Sequence, residues 1–272
     1  MAHYPYSMAM FGDLILDMLK VADAKRIVEI GADYGGMSGL LADYAGANGG
    51  ALTSIDPEVQ AGFLDWLKDH PEVIHVVEPS LTALAHTGVA DAYVIDGDHN
   101  WYTVFNELAL IRGACRAAGT PLLALLHDVS WPCARRDFYY APERIPDAYR
   151  HVHSFDAGAS LDWEGLEPGR GLHGHGTLAL ALHEGGPMNG VLTAVEDFIE
   201  GATEQGDDLC YAHVPGALGL GVVFDAGAHW ADALSTLLLP FHNNSLIATL
   251  EENRLRNYLA AIEAERVQAP VS

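Results

Sequence analysis

The chain is short of basic side chains. Lys and Arg total 14 against 37 Asp and Glu, which gives a formal net charge of −23. Binding to a phosphate backbone depends on clustered cations, so we expect neither nucleic acid nor an anionic membrane surface as a partner. This acidity is typical of a solvated surface, and it also suits a protein that binds divalent cations.

Cysteine and long apolar runs are scarce as well. The three cysteines, Cys115, Cys133 and Cys210, are odd in number and widely spaced. That pattern is neither a disulfide framework nor a zinc motif, and it favours a reducing compartment. No apolar run approaches the roughly 20 residues of a membrane span. The N-terminus lacks the basic start and apolar core of a signal peptide. We therefore expect a soluble cytoplasmic protein.

Short apolar runs alternate with helical periods in the first half of the chain. The runs RIVEIG, ALTSID, VIHVVE, DAYVID and PLLALLHD predict strands, and helical patterns lie between most of them. This alternation predicts parallel βαβ units with right-handed crossovers. Further along, DLCYAHV and LGLGVVF, joined by a turn at Pro215-Gly216, predict an antiparallel hairpin. The predicted fold class is α/β: a Rossmann-like, doubly wound, mostly parallel seven-stranded sheet with an antiparallel C-terminal hairpin.

A long insertion interrupts this alternation after the fifth strand. Residues 130–189 are rich in Pro, Gly, His and aromatic residues and keep no sustained period. The aromatic residues favour an ordered lid over a disordered linker. We expect one domain over residues 1–272, in five parts: an N-terminal helical segment (1–24), a cofactor-binding core (25–129), the lid or substrate insertion (130–189), the last helix and hairpin (190–226) and a C-terminal helix (240–268).

A glycine-rich turn follows the first predicted strand, in EIGADYGGMS (residues 29–38). Glycines there permit positive φ and close approach of a ligand to free N–H groups at the start of a helix. Asp56 ends the next strand, where a carboxylate can accept the hydroxyls of a ribose. The turn is not the dinucleotide pattern GxGxxG, so it predicts a nucleoside-type site without fixing the ligand.

Acidic and imidazole side chains end the fourth and fifth strands. Asp96-Gly97-Asp98-His99 follows one strand, and His127-Asp128 ends its neighbour. Neighbouring parallel strands lie about 4.8 Å apart, so Asp96 and Asp128 can share one hard divalent cation. His127 is either a third ligand or a core residue. His99 is a candidate general base, because imidazole titrates near neutrality.

Together these stretches resemble the class I S-adenosylmethionine (SAM)-dependent methyltransferases, in the branch of macrolide-sugar O-methyltransferases and cephalosporin hydroxylase-like proteins. The resemblance rests on VEIGADYGGMS, SIDPE, VIDGDHNWYTVFNEL and LLHDVSWP, over roughly residues 25–132. It implies SAM as cofactor, a divalent metal at Asp96 and Asp128, and His99 as the base. It implies cofactor contacts from residues of the turn and the strand ends: Glu29, Gly31, Tyr34, Gly35, Ser38, Asp56 and Asp96. Ser80, in VVEPSL, falls where the adenine-side loop of such enzymes lies.

One position departs from the family pattern. In the sugar methyltransferases the position of His127 is acidic, and imidazole beside carboxylates suits Mn²⁺ or Fe²⁺ as well as Mg²⁺. On the insertion, four residues are candidate substrate contacts, with ion pairing or helix capping as the structural alternative for some of them: Arg135, Tyr139, Tyr140 and Asn189.

The leading hypothesis is a metal-dependent O-methyltransferase that acts on a hydroxyl of a small polar acceptor, such as a sugar or another natural-product intermediate. One alternative is a metal-dependent hydroxylase or oxygenase, which His127-Asp128 would suit. The other is a non-catalytic accessory protein on the same fold. The N-terminal and C-terminal helices are candidate surfaces for homo-oligomerisation.

Overall fold

The structure is a computed structural model that describes residues 7–174 and 176–268. Residues 1–6 of the predicted N-terminal helical segment lie outside this range. The strands are β1 (Arg26–Ile30), β2 (Ala51–Ile55), β3 (Ile74–Val76), β4 (Ala92–Ile95), β5 (Leu123–His127), β6 (Phe138–Tyr139), β7 (His153–Ser154), β8 (Ala157–Ser160), β9 (Trp163–Pro168), β10 (Ala179–Ala181), β11 (Leu209–Val214) and β12 (Leu220–Asp225). The helices are α1 (Gly12–Val21), α2 (Gly36–Ala47), α3 (Ala61–Asp69), α4 (Ser80–Ala83), α5 (Trp101–Ala118), α6 (Val191–Glu204), α7 (Ala231–Leu238) and α8 (Ser245–Gln268).

A seven-stranded sheet in the order β11-β12-β5-β4-β1-β2-β3 forms the centre of the molecule. Strands β1 to β5 pair in parallel, and β12 pairs antiparallel with both β5 and β11. The chain runs outward from β1 to β3 on one side and continues through β4 and β5 on the other. The sheet therefore has a topological switch point between β1 and β4, where open α/β sheets bind ligands. The predicted fold class is confirmed.

Helices cover both faces of this sheet. Helices α1, α2 and α7 pack on one face around Ile15, Leu41 and Leu234, and α5 and α6 pack on the other around Ile111 and Ala194. Strands buried on both faces read as continuous apolar runs, as β5 does with LALLH. No helix within the described ranges is both long enough and apolar enough to cross a bilayer.

The insertion between β5 and α6 is built mostly from short strands. Strands β6, β10 and β7 form a three-stranded antiparallel sheet, and β8 and β9 form a two-stranded ribbon. Elements of two to six residues explain why the sequence shows no sustained period there. Tyr139 is 1% exposed, so the insertion contains its own buried contacts.

Candidate active site

The glycine turn lies at the carboxyl end of β1, against the loop after β4. Gly31 and Gly35 adopt φ of +87° and +79°, a region that side chains avoid. A Cβ atom on Gly31 would lie 2.2 Å from the backbone oxygen of Asp96. The turn and the Asp96 loop therefore contact each other backbone to backbone, which brings the two predicted half-sites together.

Glu29 and Ser38 lie beneath the turn. Both are buried, and Oε2 of Glu29 accepts hydrogen bonds from the hydroxyls of Ser38 at 2.7 Å and Ser54 at 2.9 Å. Burial raises the pKa of Glu29 to about 7, and its Oε1 has no hydrogen-bond partner among the described residues. The Ser38 hydroxyl thus holds Glu29 in place, and its direct contact with a cofactor stays a prediction.

Asp56 closes the turn from the end of β2. Its Oδ2 accepts the amides of Ala32 at 2.9 Å and Asp33 at 3.1 Å, and its Oδ1 accepts the amide of Glu58 at 2.8 Å. A carboxylate has about four acceptor sites. Oδ2 uses both of its sites and Oδ1 uses one, so Asp56 can still accept one ribose hydroxyl through Oδ1. Tyr34, at the tip of the turn, is 55% exposed.

Ser80 begins α4, and Glu107 of α5 lies close to it. Glu107 is buried, and neither of its carboxyl oxygens has a hydrogen-bond partner among the described residues. Burial raises the pKa of Glu107 to about 8, and the nearby Ser80 hydroxyl opposes that rise. Ser80 and Glu107 thus place a hydroxyl beside a buried carboxyl whose pKa is raised.

Two carboxylates and two imidazoles meet where β4 and β5 end. Nδ1 of His127 lies 3.0 Å from Oδ1 of Asp96 and 3.1 Å from Oδ2 of Asp128. Nδ1 of His99 lies 3.4 Å from the same Oδ2 of Asp128. Asp96, His99 and Asp128 can each offer one ligand atom within 4.8 Å of the others. The predicted metal carboxylates and the predicted base are therefore neighbours.

The two imidazoles have different surroundings. Nε2 of His127 lies 2.9 Å from the carbonyl oxygen of Ala217. Burial lowers the pKa of His127, but the carboxylates of Asp96 and Asp128 raise it well above its ordinary value. The protonated ring therefore neutralises part of their charge, and it must lose its Nδ1 proton before it can bind a metal. His99, whose side chain is 13% exposed against 1% for His127, is the more accessible third donor.

Asp128 is held in an uncommon conformation. It is buried with φ of +60°, in the left-handed region that costs energy for a residue other than glycine. Burial alone would raise the pKa of Asp128, but the charges of His127 and His99 bring it below its ordinary value. Backbone strain of this kind concentrates at functional sites, where the surrounding structure enforces it.

The insertion is fastened to the His99 loop. The amide of Phe138 donates to the carbonyl of His99 at 3.0 Å, and the ring of Tyr140 lies 5.8 Å from the ring of His99. Tyr140 is 58% exposed, yet enclosure by the protein and the charges of Asp96 and Asp128 raise its pKa. Tyr140 thus lies exposed beside the acidic cluster, and its contact with a substrate stays a prediction.

The other three substrate candidates have structural partners instead. Arg135 makes a two-pronged ion pair with Glu196, at 2.5 and 2.7 Å. The hydroxyl of Tyr139 donates to Asp137 at 2.8 Å. Asn189 accepts the amide of Asp137 at 2.8 Å and donates to the carbonyls of residues 183 and 185. These contacts give Arg135, Tyr139 and Asn189 the structural roles that were the alternative for them, and their contact with a substrate stays a prediction.

These contacts centre on Asp137, which was not among the residues predicted from the sequence. Asp137 is fully buried, and its Oδ1 accepts the amides of Trp101 and Gly190, each at 2.7 Å. It ties the insertion to the first residue of α5 and to the start of α6. No local pattern reveals this role, because the partners lie 36 and 53 residues away. Glu107 could have been identified from the sequence as a candidate buried charge, because it lies on the apolar face of α5.

Neither a protein-family model nor a curated protein matches the sequence. Solved structures do resemble the chain. The SAH-bound methyltransferase PaMTH1 from Podospora anserina is 15% identical with a TM-score of 0.49, over 80% of this chain and 79% of that one. The O-methyltransferase TomG from Streptomyces achromogenes, which is involved in tomaymycin synthesis and was solved with SAM, is 16% identical with a TM-score of 0.47, over 81% of this chain and 82% of that one. At this level of similarity, the function has to be inferred from the chain's own site.

Proposed function

We propose that the chain is a SAM-dependent O-methyltransferase that acts on a hydroxyl of a small polar acceptor, such as a sugar or a natural-product intermediate. One observation carries this proposal: the glycine turn with Asp56 and the cluster of Asp96, His99 and Asp128 adjoin at one edge of the sheet. A nucleoside-type site and a proton-accepting site in contact are what methyl transfer to a hydroxyl requires.

The residues of the turn fit the cofactor. Gly31 and Gly35 place no side chain at the two positions of the turn with positive φ, and Asp56 lies where it can accept a ribose hydroxyl. Buried Glu29 has an oxygen still able to accept a hydrogen bond. Ser80 supplies a hydroxyl on the adenine side. When bound, SAM supplies a methyl group on a positively charged sulfur, and the acidic surroundings favour that charge.

His99 is the proposed base. Its Nδ1 lies 3.4 Å from Asp128, so the carboxylate can orient the ring and stabilise the imidazolium that forms when Nε2 takes the acceptor's proton. The ring of Tyr140, 5.8 Å from the ring of His99, is exposed beside the base and would contact the acceptor. These groups align the acceptor oxygen and remove its proton, and alignment alone provides a large part of such a rate enhancement.

A divalent cation fits the same cluster, since two carboxylates and an imidazole lie within reach of one ion. We assign Asp96 and Asp128 to this ion and His99 to proton transfer. Mg²⁺ suits the carboxylates, and an adjacent imidazole extends the choice to Mn²⁺ or Fe²⁺. The ion would lower the pKa of an acceptor hydroxyl.

The ligand and base roles of His99 exclude each other, because a neutral imidazole bound through Nδ1 carries its proton on Nε2. Mn²⁺ titration followed by electron paramagnetic resonance distinguishes them. If His99 is the base, His99→Ala binds Mn²⁺ as wild type does, whereas Asp128→Asn binds it more weakly. If His99→Ala loses Mn²⁺ affinity as Asp128→Asn does, His99 is a ligand and the assignment is wrong.

The activity itself is tested with tritiated-methyl SAM and pools of hydroxylated small molecules. We expect label in one acceptor class, with stoichiometric S-adenosylhomocysteine. His99→Ala should retain SAM affinity and lose about 10²–10⁴-fold in turnover. Unchanged turnover in His99→Ala would remove His99 from the mechanism.

The donor set favours a second candidate function, an iron-dependent oxygenase, because imidazole and carboxylate groups together suit non-haem iron. Its test is the iron content of the purified protein and oxygen consumption with the same pools in the absence of SAM. Consumption linked to product formation would favour this candidate over methyl transfer.

A further inference from the structure

A short segment of the insertion crosses the proposed cofactor cleft. We call residues 140–145 the strap. Two residues before the strap begins, the amide of Phe138 donates to the carbonyl of His99 in the loop after β4. At its end, Nη1 of Arg150 donates to the carbonyl oxygens of Pro142 at 3.0 Å and Ile145 at 3.4 Å. Pro142 and Ile145 are buried, so the strap is held in one position rather than free in solvent.

The strap reaches the opposite side of the cleft through Arg144. Nη2 of Arg144 lies 3.4 Å from Oε1 of Glu58. Glu58 follows β2, and its amide donates to the ribose-side carboxylate of Asp56. Because β1 lies between β4 and β2 in the sheet, a segment fastened to the loops after both of these strands passes over the end of β1. The glycine turn begins there.

Arg144 lies among carboxylates at this position. Burial raises the pKa of Asp98, and the Arg144 guanidinium is near enough to oppose that rise. The side chain of Arg144 is 50% exposed, so its guanidinium is not fully committed to Glu58. A planar guanidinium can stack on an aromatic base or donate to hydroxyls. Arg144 is one of only 14 basic residues in the chain, and it lies where its guanidinium can also contact a bound ligand.

We propose that Arg144 is a cofactor-binding residue which, through its ion pair with Glu58, closes the strap over the adenosine part of the bound cofactor and slows its release. This inference rests on the proposed function, because it takes SAM as the ligand. It adds a contact from the insertion to a site otherwise built from the sheet. The contact acts on adenosine and not on the sulfonium, so SAM and S-adenosylhomocysteine should depend on it equally.

The test compares release rates of SAM and S-adenosylhomocysteine, measured by stopped-flow displacement, with equilibrium affinities from calorimetry. Reversing one charge, as in Arg144→Glu or Glu58→Arg, places like charges together and should open the strap. We expect each single variant to release both ligands about three- to ten-fold faster. The double variant Arg144→Glu/Glu58→Arg restores the ion pair but not the guanidinium, so it should recover part of the Arg144→Glu loss.

Arg256→Glu is the matched control. Arg256 is 46% exposed and pairs with Asp162 at 3.1 Å, on α8, so its reversal should leave release rates unchanged. Release from Arg144→Glu within two-fold of wild type would overturn the inference. An effect on SAM but not on S-adenosylhomocysteine would contradict the adenosine-side placement, and failure of the double variant to recover would contradict the pairing. If wild type binds neither ligand, the proposed function fails, whatever the variants do.

Discussion

Replacement of Asp137 tests whether its carboxylate fastens the insertion to the starts of α5 and α6. Its carboxylate accepts two backbone amides at 2.7 Å and the Tyr139 hydroxyl at 2.8 Å, all in the interior. Asp137→Ala leaves both amides without a partner, and each buried orphan costs about 1–3 kcal/mol. Relief from burying the carboxyl, which raises the pKa of Asp137, offsets part of this cost. We expect Asp137→Ala to lower the free energy of unfolding by about 3–5 kcal/mol.

Two further variants make this measurement specific. Asp137→Asn keeps the shape and one accepting oxygen, so its loss should be about 1–2 kcal/mol. Asp162→Ala removes a carboxylate whose side chain is 77% exposed, and it should leave the unfolding free energy close to that of wild type. Urea unfolding followed by far- and near-ultraviolet circular dichroism measures all three. The reasoning is refuted if Asp137→Ala unfolds within about 1 kcal/mol of wild type, or if Asp137→Asn is as damaging as Asp137→Ala.

Three other substitutions have defined outcomes. The pKa of Glu107 is about 8 in the folded protein against an ordinary 4.5, so its stabilising contribution is complete below pH 4.5 and is lost as the pH rises through 8. The free energy of unfolding of Glu107→Gln, relative to that of wild type, should therefore rise by up to roughly 4 kcal/mol between pH 5 and pH 9. A difference in urea unfolding that does not change with pH would contradict this. Arg135→Ala breaks a partly exposed ion pair with Glu196 and should lower the free energy of unfolding by less than about 1 kcal/mol. SAM affinity, measured by calorimetry, should not change. A large loss of SAM affinity would show that Arg135 belongs to the binding site. Gly31→Ala places a Cβ atom 2.2 Å from the backbone oxygen of Asp96, at a φ of +87°. It should destabilise the fold by about 3 kcal/mol and abolish SAM binding in calorimetry. Normal SAM binding would show that the turn does not approach Asp96 so closely.

The sheet edge was predictable from the sequence because its chemistry follows strand ends. Apolar runs that stop at Asp56, Asp96 and Asp128 identify both the strands and the polar groups after them. Parallel strands have their carboxyl ends at a common edge, so these carboxylates had to lie along that edge. The order of the strands then places the glycine turn between Asp56 and Asp96.

The insertion was not predictable, because its contacts are tertiary. Arg135 and Arg136 are adjacent in the sequence, but Arg135 pairs with Glu196 and Arg136 is fully buried against backbone carbonyls. Nothing local distinguishes those two destinations. In the same way, Tyr139 is buried and its neighbour Tyr140 is exposed. Which of the two is buried depends on β6, a strand of two residues that is too short to form a recognisable pattern.

The central claim is that this sheet edge binds SAM through its turn and Asp56. Calorimetric titration of SAM into metal-stripped protein, repeated with Mn²⁺, tests it most directly, with Asp56→Asn as the comparison. We expect micromolar binding to wild type and a loss of about ten-fold or more in Asp56→Asn, because a charge-assisted hydrogen bond contributes about 1.5–3 kcal/mol. Absence of heat in both wild-type titrations, with the protein folded by circular dichroism, would contradict the account.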